Sequence, residues 1–185
     1  MRRIAVIPAR GGSKRLPRKN VYPLHGRPLL AWTVDAALRT AMFERVVVST
    51  EDFEIAEAAA DAGAEVDDRD PRLASDSARV TEVCTDLVER EAGMDRHYDT
   101  LCVLYATAPL RSAEDIRATV ALAEEPDCGG FAMAVTHFDL PAHQALYRAA
   151  DETLTPMYPG LVTAKASDLC EFVVDNGSTY WAAVP

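Results

Sequence analysis

Short continuous apolar runs alternate with polar stretches whose apolar residues recur at helical spacing. RIAVIP (3–8), RVVVS (45–49), TLCVLY (100–105) and FAMAVT (131–136) read as strands buried within a sheet. PLLAWTVDAALRTA (28–41) opens on proline and spaces Leu29, Trp32, Val34, Ala37 and Leu38 as an amphipathic helix. EIAEAAADAG (54–63) predicts a second helix, capped by Thr50 or Asp52 and ended by Gly63, with a short strand near 64–67. A third helix is predicted at about 79–93, closed by a glycine, and a fourth in SAEDIRATVALAEE (112–125). There Ser112 and Asp115 stand at capping-box spacing, with Asp in place of Glu. Residues 9–27 and 68–78 predict loops.

Strands alternating with helices predict an α/β fold: a Rossmann-like, mostly parallel sheet with helices on both faces. The alternation fails after residue 137, so 137–171 is a candidate dimerisation arm. EFVVDNGSTYWAAV (171–184) predicts two short strands around a turn at Asp175–Gly177, with at least one of Tyr180 and Trp181 facing the core. The 185 residues are expected to form a single domain, 1–185, with a strand-like run reaching Pro185.

Charge changes this picture at one place. The chain carries 19 basic and 29 acidic side chains, a net charge of −10. Yet Arg10, Lys14, Arg15, Arg18 and Lys19 crowd into IPARGGSKRLPRKN (7–20). So short a basic stretch argues against nucleic acid and suits a small polyanion. The four cysteines are far apart and suit reduced, mostly buried thiols in a cytosolic protein. No secretory signal and no membrane-spanning run is read, so no membrane partner is expected.

In an open parallel sheet, ligands bind beyond the carboxyl ends of the strands. Gly11 and Gly12 let the backbone turn and approach a ligand. Arg10, Ser13, Arg18 and Lys19 can give charge-assisted donors to a triphosphate, and Asn20 suits a sugar hydroxyl or phosphate. The loop is neither GxxxxGK[ST] nor GxGxxG. Glu51 and Asp52 can touch a ligand or cap a helix. His25 and His97 are expected on the surface, His137 and His143 in ordinary packing, and Trp32 in the core.

IPARGGSKRLPRKN resembles the nucleotide loop of the acylneuraminate cytidylyltransferases, which make CMP-sialic acids. GRPLLAWTVDAAL, VVVSTED, LASDSA, TAPLRSAEDI and DNGSTYW continue the resemblance in order along essentially the whole chain. LYATAPLRSAEDI and MYPGLVTAKASDL are most similar to the pseudaminic acid branch. Typical sialic acid enzymes carry Gln and Pro where this chain has Tyr105 and Ala106.

The resemblance implies that CMP passes from CTP to the anomeric hydroxyl of an acidic nine-carbon sugar, with Mg²⁺ as cofactor and a homodimer as the working form. It implies Arg10 and Lys19 as catalytic cations at the α- and β-phosphates. Ala9, Gly11, Gly12, Ser13 and Asn20 complete the phosphate and ribose loop, with Arg69 and the backbone at Ala78 reading cytosine. Tyr105, Thr107, Asn176 and Gly177 would line the sugar pocket, and Lys165 would reach the acidic sugar. Val80 stands where relatives often place Ser or Thr, with Thr81 one position later. The family's metal-binding aspartates, in a C-terminal motif close to ID(T)xxDL, have no match within these residues, so the metal ligands stay unassigned; Asp175 reads as a turn residue. Two rival expectations remain: a non-catalytic or truncated CTP- or CMP-binding relative, and a nucleotidyltransferase for another acidic sugar such as 3-deoxy-manno-octulosonate.

Overall fold

The computed structural model describes residues 1–139 and 141–184; Leu140, inside the expected arm, and Pro185 lie outside them. In chain order the elements are β1 (Arg3–Pro8), β2 (Pro23–Leu24), β3 (Arg27–Pro28), α1 (Leu29–Arg39), β4 (Arg45–Thr50), α2 (Phe53–Asp61) and β5 (Glu65–Asp68). They continue with α3 (Val80–Gly93), β6 (Thr100–Leu104), α4 (Ala113–Ala123), β7 (Phe131–His137), β8 (Leu146–Arg148), β9 (Leu154–Pro156) and β10 (Val173–Ala183). Short 3₁₀ turns punctuate the loops, two of them at Lys19–Val21 and Pro71–Ala74.

The chain divides into two compact units, Met1–Ala134 with Gly177–Pro185, and Val135–Asn176. The main sheet runs β5-β4-β1-β6-β10-β7. β1 pairs in parallel with β4 and β6, β4 pairs in parallel with β5, and β10 runs antiparallel to β6. Successive side chains of a strand face opposite ways, so β1 feeds two cores. Ala5 and Ile7 pack with Leu30 and Val34 of α1, Ile55 of α2, Ile116 of α4 and Trp181 of β10. Ile4 and Val6 pack on the other face with Cys84 and Leu87 of α3 and with Tyr98. Each such buried Leu or Ile is worth about 1.5–3 kcal/mol over an exposed one. Trp181 is 1% exposed and its neighbour Tyr180 faces the other way.

Four local expectations change. Residues 22–28 are not plain loop: β2 and β3 form a small antiparallel hairpin turning at His25 and Gly26, both at positive φ. Trp32 is half-buried beneath it rather than in the core, donating Nε1–H to Leu24 O (3.2 Å) with Arg27 over its ring. α3 is not closed by its glycine; Gly93 is the last helical residue, and the left-handed position falls to Asp95 (φ 60°). Residues 173–183 are one strand, not two. Gly177 (φ +67°) adopts a backbone open chiefly to glycine within this continuous strand, without reversing the chain.

The second unit contains the antiparallel pair β8–β9 and a cluster in which His143 and Tyr158 meet the ring of Phe172 edge-on. His137 pairs with Glu171 at 2.9 Å. His25 and His97 are exposed. Among the described residues no helix is long and apolar enough to cross a membrane.

Candidate active site

The loop after β1 is anchored before it can bind anything. The Ala9 N–H extends the strand pairing to Ser49 O (3.0 Å). The Gly11 N–H donates to Glu51 Oε1 at 2.8 Å. Arg18 forks onto Asp52, with Nη2 3.0 Å from Oδ1, and also pairs with Glu54. Asn20 is 5% exposed and donates Nδ2–H to Arg10 O at 2.9 Å. A Cβ on Gly11 would stand 3.0 Å from Asp52 Cγ, so only glycine lets the loop lie this close to the end of β4. Asp52 serves twice, also accepting the Ile55 N–H at 3.1 Å as the α2 cap. Arg18, expected on the triphosphate, is thus committed to carboxylates, and the Gly11 N–H to Glu51.

Beyond the carboxyl ends of β1, β4 and β6 lies a cavity of about 510 Å³. It gathers Arg10, Ser13, Lys19, Asn20, Arg69, Ala78, Tyr105 and Thr107, eight expected residues from three regions of sequence. Gly11 and Gly12 border an adjoining hollow with Arg10, Ser13 and Lys14, while Ala9 is buried in the core. Gly177 lies within β10, and Lys165 and Asn176 belong to the second unit.

The cavity wall is strongly cationic, with Lys14 and Arg15 added to Arg10, Lys19 and Arg69. Burial, then Arg15 and Arg10, holds the Lys19 ammonium below the ordinary lysine range. Arg69 is 4% exposed, donates Nε–H to Ser49 Oγ at 3.2 Å and bonds Ser49 O. Its guanidinium is pulled down by burial, against the pull of Glu51. Asp76 lines the cavity and pairs with Arg10 at 2.8 Å and with Lys14, which together hold its carboxyl below the usual range. Val80 and Val83 form an apolar patch; Thr81 is exposed and does not take Val80's place.

A crowd of fixed cations with one internal carboxylate suits a polyanion whose charge shifts during reaction. Among the described residues no group of three or more His, Cys, Asp or Glu could hold a metal ion. Sequence reading passed over Asp76, although it sits in the quoted LASDSA, because its partners lie in another loop. It also passed over Arg111 of TAPLR. This buried side chain donates to Ser178 O and Tyr105 O behind the cavity wall.

The cytidylyltransferase family model matches residues 4–147. A pseudaminic acid cytidylyltransferase of Campylobacter jejuni subsp. jejuni serotype O:2 is 33% identical over 182 residues, covering 98% of this chain and 78% of its own. A CMP-N,N'-diacetyllegionaminic acid synthase of Legionella pneumophila is 45% identical over 121 residues, 65% of this chain and 52% of its own. The solved structure of a CMP:2-keto-3-deoxy-manno-octonic acid synthetase complexed with CTP superposes with a TM-score of 0.74 at 19% identity. It covers 99% of this chain and 74% of that one, a likeness of fold.

Proposed function

Because the chain belongs to the cytidylyltransferase family, we propose that it transfers CMP from CTP to the anomeric hydroxyl of a nonulosonic acid of the pseudaminic type, releasing pyrophosphate. One observation carries this reading: a single cavity gathers the basic loop after β1, Arg69 and the Tyr105–Thr107 wall. Arg10 and Lys19 neutralise the reacting and departing phosphates, and Ser13 and Asn20 orient them. Arg69 and the Ala78 backbone read cytosine, whose N4 donates where uracil O4 accepts. The sugar hydroxyl attacks the α-phosphorus and releases its proton to solvent, the bond from the α-phosphorus to the β-phosphate oxygen breaks, and the charge that collects on pyrophosphate falls among cations already in place.

Mg²⁺ belongs to the proposal as the counter-ion that CTP carries in, a common arrangement for nucleotide phosphates. Asp76 is held by Arg10 and Lys14, so the described residues do not form a protein cage for the ion. Lys165 and Asn176 are proposed sugar contacts carried by the second unit, and Gly177 is a proposed sugar contact carried by the first. A homodimer is proposed from the exposed Leu146, Tyr147, Leu154, Met157 and Tyr158 of the second unit. The four free cysteines support a reducing, cytoplasmic location.

The test is pyrophosphate release with CTP, Mg²⁺ and a panel of nonulosonic acids plus 3-deoxy-manno-octulosonate. Fastest release with a pseudaminic-type acid is expected. Binding of CTP without release from any acid would overturn the enzyme reading, and release with the octulosonate alone would reassign the acceptor.

A further inference from the structure

The stretch Tyr105, Ala106 and Thr107 that lines the cavity is tied back by buried side chains, among them Arg111. Arg111 is 8% exposed, and its Nη1 donates to Ser178 O at 2.5 Å while Nη2 reaches Tyr105 O at 3.4 Å. Its Nε is buried with no hydrogen-bond partner. Burial pulls the guanidinium down to about 10, outweighing the opposing pull of Cys102 and Asp115. A buried cation is costly unless its donors are hydrogen-bonded, and here two backbone carbonyls accept from Nη1 and Nη2.

Joining β6 to β10 does not require it. The Tyr105 N–H already donates to Ser178 O at 2.9 Å. What Arg111 adds is closure of its own loop. The Ala108 N–H donates to Tyr105 O at 3.3 Å and the Arg111 N–H to Ala108 O at 3.3 Å. Thr33 Oγ1 reaches Tyr105 O at 3.3 Å from α1. The loop therefore folds around the Tyr105 carbonyl, with the guanidinium as its clasp. In front, the Tyr105 ring lies against Tyr180 with centroids 5.3 Å apart.

We infer that Arg111 is a positioning residue for the acceptor side of the site: it fixes the Tyr105–Thr107 wall through two backbone carbonyls and leaves the phosphate loop untouched. The inference rests on the reaction proposed above for its kinetic meaning. It places the phosphate half and the acceptor half of the cavity under separate control.

The variants are Arg111→Met, which keeps an apolar stem without donors, Arg111→Lys, which keeps charge and some donors, and Thr33→Val, which removes the second tie. Steady-state kinetics is read with each substrate varied, and hydrogen exchange at the Tyr105 and Ala108 amides. For Arg111→Met the KM for the acidic sugar should rise about tenfold or more, while that for CTP stays within about twofold. Arg111→Lys should restore part of the loss, and Thr33→Val should move the same constant less far. Both amides should exchange faster in Arg111→Met while β1 amides are unchanged. Equal rises in both KM values, or wild-type exchange at both amides, overturns the inference. If Arg111→Met does not fold, Arg111→Lys and Thr33→Val decide by the same readouts. If the wild-type protein turns over no acidic sugar, the reaction reading fails, while amide exchange still judges the clasp.

Discussion

Arg10 and Arg18 belong to one basic stretch, yet they meet different partners. Arg18 pairs with Asp52 and Glu54 and anchors the loop; Arg10 lines the cavity and pairs with Asp76. An exposed pair such as Arg10–Asp76 contributes little to stability. Arg10→Ala should therefore lower turnover about 10²–10³-fold, with far-ultraviolet circular dichroism and thermal midpoint almost unchanged. Unchanged turnover would mean that Arg10 is not at the reacting phosphates. For Asp52 the lever is pH. Arg18, then the Ile55 N–H, holds its carboxyl below the ordinary range. The folded value thus lies below the unfolded one of about 3.9. The tie is fully present above that value and fades as pH falls through the folded one. Thermal melts between about pH 3 and 7 should show the wild type losing stability on acidification more steeply than Asp52→Asn; parallel curves would count against the anchor. From sequence, Arg10 and Arg18 are both simply basic. What separates them is Asp52 across the sheet edge, which no local pattern reveals.

At the level of elements, hydrophobic pattern was most legible where burial is complete. RIAVIP and RVVVS became β1 and β4 because both of their faces meet helices. The α4 start was legible to the residue: Ser112 Oγ accepts the Asp115 N–H at 3.1 Å, and Asp115 Oδ2 accepts the Ser112 N–H at 2.8 Å. Ser112→Ala should cost about 1 kcal/mol, lowering the thermal midpoint by about 2–4 °C for a chain of this length. No change in a melt would show that Asp115 caps alone. β10 was not legible as one strand. Asp-Asn-Gly signals a reversal locally, but pairing from Thr179 to Ala183 against β6 fixes the strand direction beyond it. Tertiary pairing overrode turn chemistry there. The β2–β3 hairpin was missed for the opposite reason: two-residue strands are too short to show alternation.

Across the whole molecule, the cationic cavity is lined entirely by residues of the first unit, whereas two of the expected sugar contacts, Lys165 and Asn176, belong to the second. The second unit exposes more large apolar side chains than a small solvated excursion needs. Light scattering should give twice the chain mass, and Leu154→Glu with Met157→Glu should give the chain mass alone. A wild-type monomer would remove the dimer from the proposal. Alternation of strand and helix made the first unit legible; the second has no such period, and only its failure of pattern marked it in the sequence.

The chain enters the second unit from β7 and returns along β10, and these two strands are neighbours in the main sheet. An excursion that leaves and rejoins at adjacent strands can be lengthened, shortened or exchanged without rethreading the core. The scaffold thus has a natural seam, along which descendants could exchange the second unit by recombination while inheriting the first unit's cationic cavity intact.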